Sequence, residues 1–222
     1  MWQVYLTFIL LFSIIILFVV KYSSLSYSLK IISFYAIVTT PFEMGAAYIY
    51  MFQYPRNNLF IFHVLNPLQY VVLSYYYYKL FSLSVTKMTV KVSIPIFLLI
   101  AVFISWKIQH ITAYNSYELI IQNFLLALWS LLYFKSLMYS ENIERLENNP
   151  DFYIASGILL FSLSDLILEG VLSYTIKNKL PLSVTLNDLS EILQYVMYCV
   201  FIVAMLMGSK HGKQTKEAYF KR

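Results

Sequence analysis

The chain of 222 residues is 60% hydrophobic and only 12% charged, with a net charge of +5. A soluble domain carries roughly a quarter of its residues charged, so this composition excludes an ordinary water-soluble enzyme and points to a bilayer. The single cysteine, Cys199, excludes an intrachain disulfide and any multi-thiolate metal centre, and its place in the last apolar span predicts a small buried hydrophobe.

Seven apolar stretches follow one another. Trp2–Val20 is long enough to cross about 30 Å of hydrocarbon. It lacks a basic leader and a small-residue cleavage site, so it is expected to be retained. Ile31–Phe52 is the second, carrying Pro41, Glu43 and the small run Gly45-Ala46-Ala47. A turn at Gln53–Asn57 leads to the third, Asn58–Tyr78. After the basic segment Lys79–Lys91 comes Val92–Trp106, and after the polar segment Lys107–Tyr117 comes Glu118–Tyr139. Asn148-Asn149-Pro150-Asp151 is a helix stop and restart ahead of Phe152–Tyr174. A loop, Thr175–Asp188, precedes Leu189–Gly208. The expected fold is therefore all-α: a polytopic bundle of seven transmembrane helices over residues 1–208, then a basic cytoplasmic tail, residues 209–222.

Basic residues set the orientation. With the N-terminus outside and the C-terminus inside, only Arg56, Lys107, Lys177 and Lys179 of the 16 Lys and Arg fall on the outer side. Charge spread over inner loops and tail is explained by anionic headgroups, which removes nucleic acid as a partner. Tyr75–Tyr78 followed by Lys79 is expected to anchor the third span at the inner boundary.

The third span carries the most unusual chemistry. His63, Asn66, Tyr70, Ser74 and Tyr77 recur at helical spacing, giving this span a polar seam and a lipid side. Pro67 cannot donate to the His63 carbonyl, which leaves a backbone acceptor beside the imidazole. Ionisable groups inside a bilayer are costly and usually face the bundle interior. Here Glu43, His63, Asn66, Glu118, Gln122, Asn123, Asp165, Glu169, Glu191 and Gln194 all fall in the outer half of their spans, while the inner half is nearly free of such groups. A polar pocket open to the outer face is expected, lined from spans two, three, six and seven. Asp165 and Glu169 lie one turn apart with Ser162 on the same strip, so the two carboxyls should share about one charge. They form a proton donor–acceptor pair for which His63 is the partner. The candidate catalytic residues are Asp165, Glu169 and His63; the candidate ligand-binding residues are Glu43, Asn66, Gln69, Glu191 and Gln194. The plainer alternative is that each polar side chain hydrogen-bonds a neighbouring helix, with Glu118 and Glu191 wet at the outer surface.

Other chemistries are set aside. The seventh span has no lysine for a retinal Schiff base, and no His-Glu-x-x-His, Gly-x-Ser-x-Gly or P-loop pattern occurs. His63, His110 and His211 lie on different segments without ligand spacing, so no metal and no cofactor is expected. The segment Ser156-Gly157 to Leu160-Phe161-Ser162-Leu163-Ser164-Asp165 resembles one in the YhhN-type lysoplasmalogenases, multi-span enzymes that hydrolyse the vinyl ether of lysoplasmalogens. That resemblance implies Asp165 as an acidic catalytic residue, with Gln194 answering to a glutamine in the following span. The sequence favours binding or sensing of a small amphiphilic ligand in a bacterial-type inner membrane. The alternatives are hydrolysis of a lipid ether, with water as nucleophile, and a structural subunit of a homo- or hetero-oligomer docking through its tail and the acidic loop Glu141–Glu147. Membrane lipids are the expected surroundings in each case.

Overall fold

The computed structural model describes residues 2–52, 57–139 and 146–220, except for the side chains of residue 147 and of residues 209–220. Residues 53–56 of the expected turn, most of the loop at 141–147 and the tail's side chains lie outside the described residues.

Seven α-helices make up the described chain: α1 (Trp2–Lys21), α2 (Tyr27–Phe52), α3 (Leu59–Leu80), α4 (Ser84–Phe103), α5 (Ser116–Met138), α6 (Pro150–Lys177) and α7 (Leu182–Phe220). A π-helical turn, Ile104–Ile108, continues α4. Five helices (α1, α4 with its π turn, α5, α6 and α7) are long and apolar enough to cross a membrane. The same residues make α2 and α3 more polar: Thr39, Thr40 and Glu43 on one, His63, Asn66, Gln69 and a tyrosine run on the other. Both have ample length, 26 and 22 residues.

Helix ends follow local chemistry. The Asn149 side chain accepts from the backbone N–H of Asp151 and Phe152, with Pro150 in the first turn of α6, as the stop-and-restart motif predicts. Pro41, Pro67 and Pro95 all sit inside helices that run on past them. Several helices outrun the apolar stretches. α4 begins at Ser84 and takes Lys87 and Lys91 into its first turns, because long basic side chains can reach back to water from a helix end.

Helix neighbours form a ring in the order α1, α2, α3, α5, α6, α7 and back to α1, with α4 seated on the outside against α3. Inside the ring are large side chains such as Trp129, Tyr70, Tyr76, Tyr77, Tyr198 and Phe201. The exterior is apolar: Val19, Val85, Leu99 and Val102 are each at least 66% exposed. A surface of this kind is unstable in water and suits hydrocarbon.

Two expectations about single residues change. Cys199 is exposed on α7, in a shallow apolar cavity with Tyr153, Ile192, Tyr195, Val196, Val200 and Val203, and is not a core residue. Its neighbours Tyr198 and Phe201 take the inward positions instead, both fully buried. The tyrosine run does not act as one anchor. Tyr75 and Tyr78 face outward around Lys79, whose ammonium lies 5.1 and 5.5 Å from their ring centroids. Tyr76 and Tyr77 are fully buried. Consecutive helical residues point about 100° apart, so four in a row must cover both faces.

Candidate functional site

The seam on α3 is buried as its periodicity predicts: His63, Asn66, Tyr70, Ser74 and Tyr77 are all inside, and so is Gln69, which donates to Thr39 Oγ1 at 3.2 Å. At one end of this seam the π turn and the segment 109–115 fold back over the bundle. His63 Nε2 lies 3.0 Å from the Ala113 carbonyl and Nδ1 lies 2.9 Å from Ser105 Oγ. A carbonyl only accepts, so the proton of a neutral imidazole sits on Nε2, and Ser105 donates to Nδ1. Glu118 Oε2 stands 3.9 Å from the same Nδ1, an ion pair when the ring is protonated.

The residue after Ala113 carries the next link. Tyr114 donates to Glu169 Oε1 at 2.5 Å, so the dipeptide 113–114 touches His63 through its carbonyl and Glu169 through its phenol. Burial first, and the neighbouring Glu169 second, hold the Tyr114 phenol well above its ordinary value of 10.0. It therefore remains a donor throughout the range in which proteins are handled. One turn further along α6, Asp165 accepts from Asn123 Nδ2 at 2.7 Å and from the Ser190 hydroxyl. His63, Asp165 and Glu169 thus belong to one buried cluster built from α3, α5, α6, α7 and the segment 104–115. His63 meets the carboxylate pair through Ala113–Tyr114, with no direct hydrogen bond recorded among the described residues.

Several oxygens in this cluster have no hydrogen-bond partner: both of Glu118, Glu169 Oε2, Gln122 Oε1, Asn123 Oδ1 and Ser162 Oγ. Glu118 is fully buried, which overturns its expected place at a wet surface. It opens α5, where a helix start would normally meet water, but the segment 109–115 covers it. Glu191 is half-buried and has both carboxylate oxygens occupied, by Asn187 at 3.0 Å and Tyr195 at 3.1 Å.

The remaining candidates gather elsewhere. Glu191 and Gln194 on α7 face α1 and α2, where Tyr195 also donates to the Gln3 carbonyl and Gln194 donates to Tyr198 at 2.8 Å. Glu43, half-buried on α2, is within electrostatic reach of Glu191 and Tyr198. The expected single lining from spans two, three, six and seven therefore divides into two groups, and α5 supplies Glu118 and Asn123 to the first. Sequence reading missed Tyr114, Ser105 and Ser190. The first two come from a fold-back that no periodicity announces, and Ser190 looks like any serine near a helix start.

The largest cavity of those resolved is apolar, about 1090 Å³, and lies in the groove between α4 and α5. Val92, Ile96 and Ile100 line one wall, Ile121 and Leu125 the other, with Trp129 and Leu166 also contributing. No protein-family model matches the chain, and no curated protein or solved structure matches it significantly. Among the described residues, no group of three or more His, Cys, Asp or Glu is arranged to hold a metal ion.

Proposed function

We propose that the chain is a seven-span protein of a bacterial-type inner membrane, N-terminus outside and C-terminus inside, that binds a small amphiphile. The observation that carries this reading is the adjacency of the α4–α5 groove to the buried polar cluster. Groove residue Ile121 precedes Gln122, Leu166 follows Asp165, and Ile100 stands a turn before the π segment that holds Ser105. An apolar channel ending beside unpaired polar atoms fits a molecule with one tail and one polar head. Here α4 is a flank seated on α3, so the groove opens sideways to lipid.

Trp129 supplies the test. It is 2% exposed and lines the groove, so a quencher in the surrounding lipid reaches it only through that groove. In a variant with Trp2 and Trp106 replaced by Phe, a single-chain amphiphile brominated on its tail should quench Trp129 saturably. Val92→Trp, made in that background with Trp129 also changed to Phe, should bind about tenfold more weakly in competition, since bulk in the groove displaces the tail. Equal quenching by a water-soluble brominated alcohol would remove the reading. For topology, a reporter after Arg222 should be active inside and one within residues 175–188 outside; either result reversed removes the seven-span arrangement.

The resemblance of residues 156–165 to lysoplasmalogenases supports a second reading, vinyl-ether hydrolysis with Asp165 as acid. The observation favouring it is that Asn123 and Ser190 fix the Asp165 carboxyl from two sides, the orientation a proton donor needs. Aldehyde release from a lysoplasmalogen by purified protein would establish it.

A further inference from the structure

The donors and acceptors around Asp165 do not balance. Each described hydroxyl and N–H that reaches the carboxylate pair is already engaged: Asn123 Nδ2 and Ser190 on Asp165, Tyr114 on Glu169. What remains on this side is oxygen alone. Glu169 Oε2, Asn123 Oδ1 and Ser162 Oγ are buried without partners. Asn123 is directed at Asp165 by its own hydrogen bond, which keeps its free oxygen in the same place. Ser162 precedes Asp165 by one turn on the same strip of α6 and is fully buried. The unengaged donors lie apart: Asn115 Nδ2 beside Glu118, and Trp129 Nε1 about 9 Å further along α5.

We infer that this side of the cluster is a binding site for a bare monovalent cation, sodium, held by Asp165, Glu169 Oε2, Asn123 Oδ1 and Ser162 Oγ. The inference is independent of the amphiphile reading. A proton on Glu169 would give one donor, while the Asn123 and Ser162 oxygens both need one. A cation satisfies all of them together, because coordination is not limited to one acceptor. It also supplies the positive charge that two buried carboxyls lack, since no lysine or arginine pairs with either among the described residues. A divalent ion fits less well. Calcium sites take six to eight oxygens, with carboxylates prominent, whereas three of the four carboxylate oxygens here already accept hydrogen bonds.

The test is the unfolding temperature of the full chain in detergent, in NaCl, KCl or choline chloride at equal ionic strength. A sodium-specific, saturable rise is expected, about 5–10 °C at a hundredfold excess over Kd. Ser162→Ala, which removes one neutral ligand and no charge, should weaken the sodium midpoint about tenfold, the size of one hydrogen bond to a charged group. Asp165→Asn should abolish the response. If that variant does not fold, Ser162→Ala and Glu169→Gln decide. Equal unfolding temperatures in sodium and choline, an unshifted midpoint in Ser162→Ala, or replacement of sodium by micromolar calcium would each overturn the assignment.

Discussion

The two ends of the α3 seam hold similar residues and treat them in opposite ways. At the Tyr76 end, Tyr76 donates to the Asp151 carboxylate at 3.2 Å, Tyr77 shares a hydrogen bond with Ser130 at 2.5 Å, and Asn149 caps α6. At the His63 end, six oxygens lie buried with nothing to accept from. A buried polar group that has its partner helps to specify the packing; one without costs stability and persists only for another reason. The difference separates scaffold from site. It also corrects the expectation that the Tyr76 end would be nearly free of polar chemistry: the phenols there bring a carboxylate with them.

Truncation at the scaffold end should have the largest effect. Tyr76→Ala removes a fully buried ring and leaves Asp151 without its donor, so a loss of about 3–5 kcal/mol is expected in chemical unfolding in detergent. A loss below 1 kcal/mol, on the order of an ordinary surface change, would erase the distinction between the ends. Gly157→Ala probes the middle of α6, between them. A Cβ there would meet Val200 Cγ1 at 3.0 Å, so α6 and α7 must separate slightly, costing about 1–3 kcal/mol. At the site end the sign should change. Glu118→Gln removes a carboxyl that has no partner and should leave stability within about 1 kcal/mol of the parent, or raise it. A cost comparable to Tyr76→Ala would make Glu118 a structural partner of His63 and move this end into the scaffold. The smallest effect belongs to the tail: deleting residues 212–222 should change the unfolding free energy by less than about 0.5 kcal/mol.

How much of this could be read from the chain depends on what carried the signal. The α3 seam was legible because a 3.6-residue period survives burial unchanged. Asp165 and Glu169 were legible as a pair for the same reason, being one turn apart on one helix. The grouping of His63 with them followed from depth alone, and the bundle does bring them to one cluster. Depth without rotation misled at Glu43, Glu191 and Gln194: they share the level of that cluster but face α1 and α2. Tyr114 and Ser105 were invisible, since a connecting segment folding back over a helix end leaves no pattern in the residues themselves. Cys199 failed for a simple reason: an apolar helix gives no sequence contrast between its lipid face and its core face.

The π turn at Ile104–Ile108 has a consequence for the history of the chain. A π turn is the mark left when one residue is added to an α-helix and absorbed as a bulge, without breaking the helix. Everything beyond it is turned by about 100° relative to an uninterrupted helix. Ser105, inside the bulge, therefore meets His63 in a phase that α4 alone would not give it. A single-codon deletion within residues 104–108 would let the helix relax to ordinary geometry and rotate this contact away, leaving α4 itself in place. Such a deletion offers a lineage an easy route to losing the site while keeping the bundle, and chains that retain the extra residue are those in which the site should still be under selection.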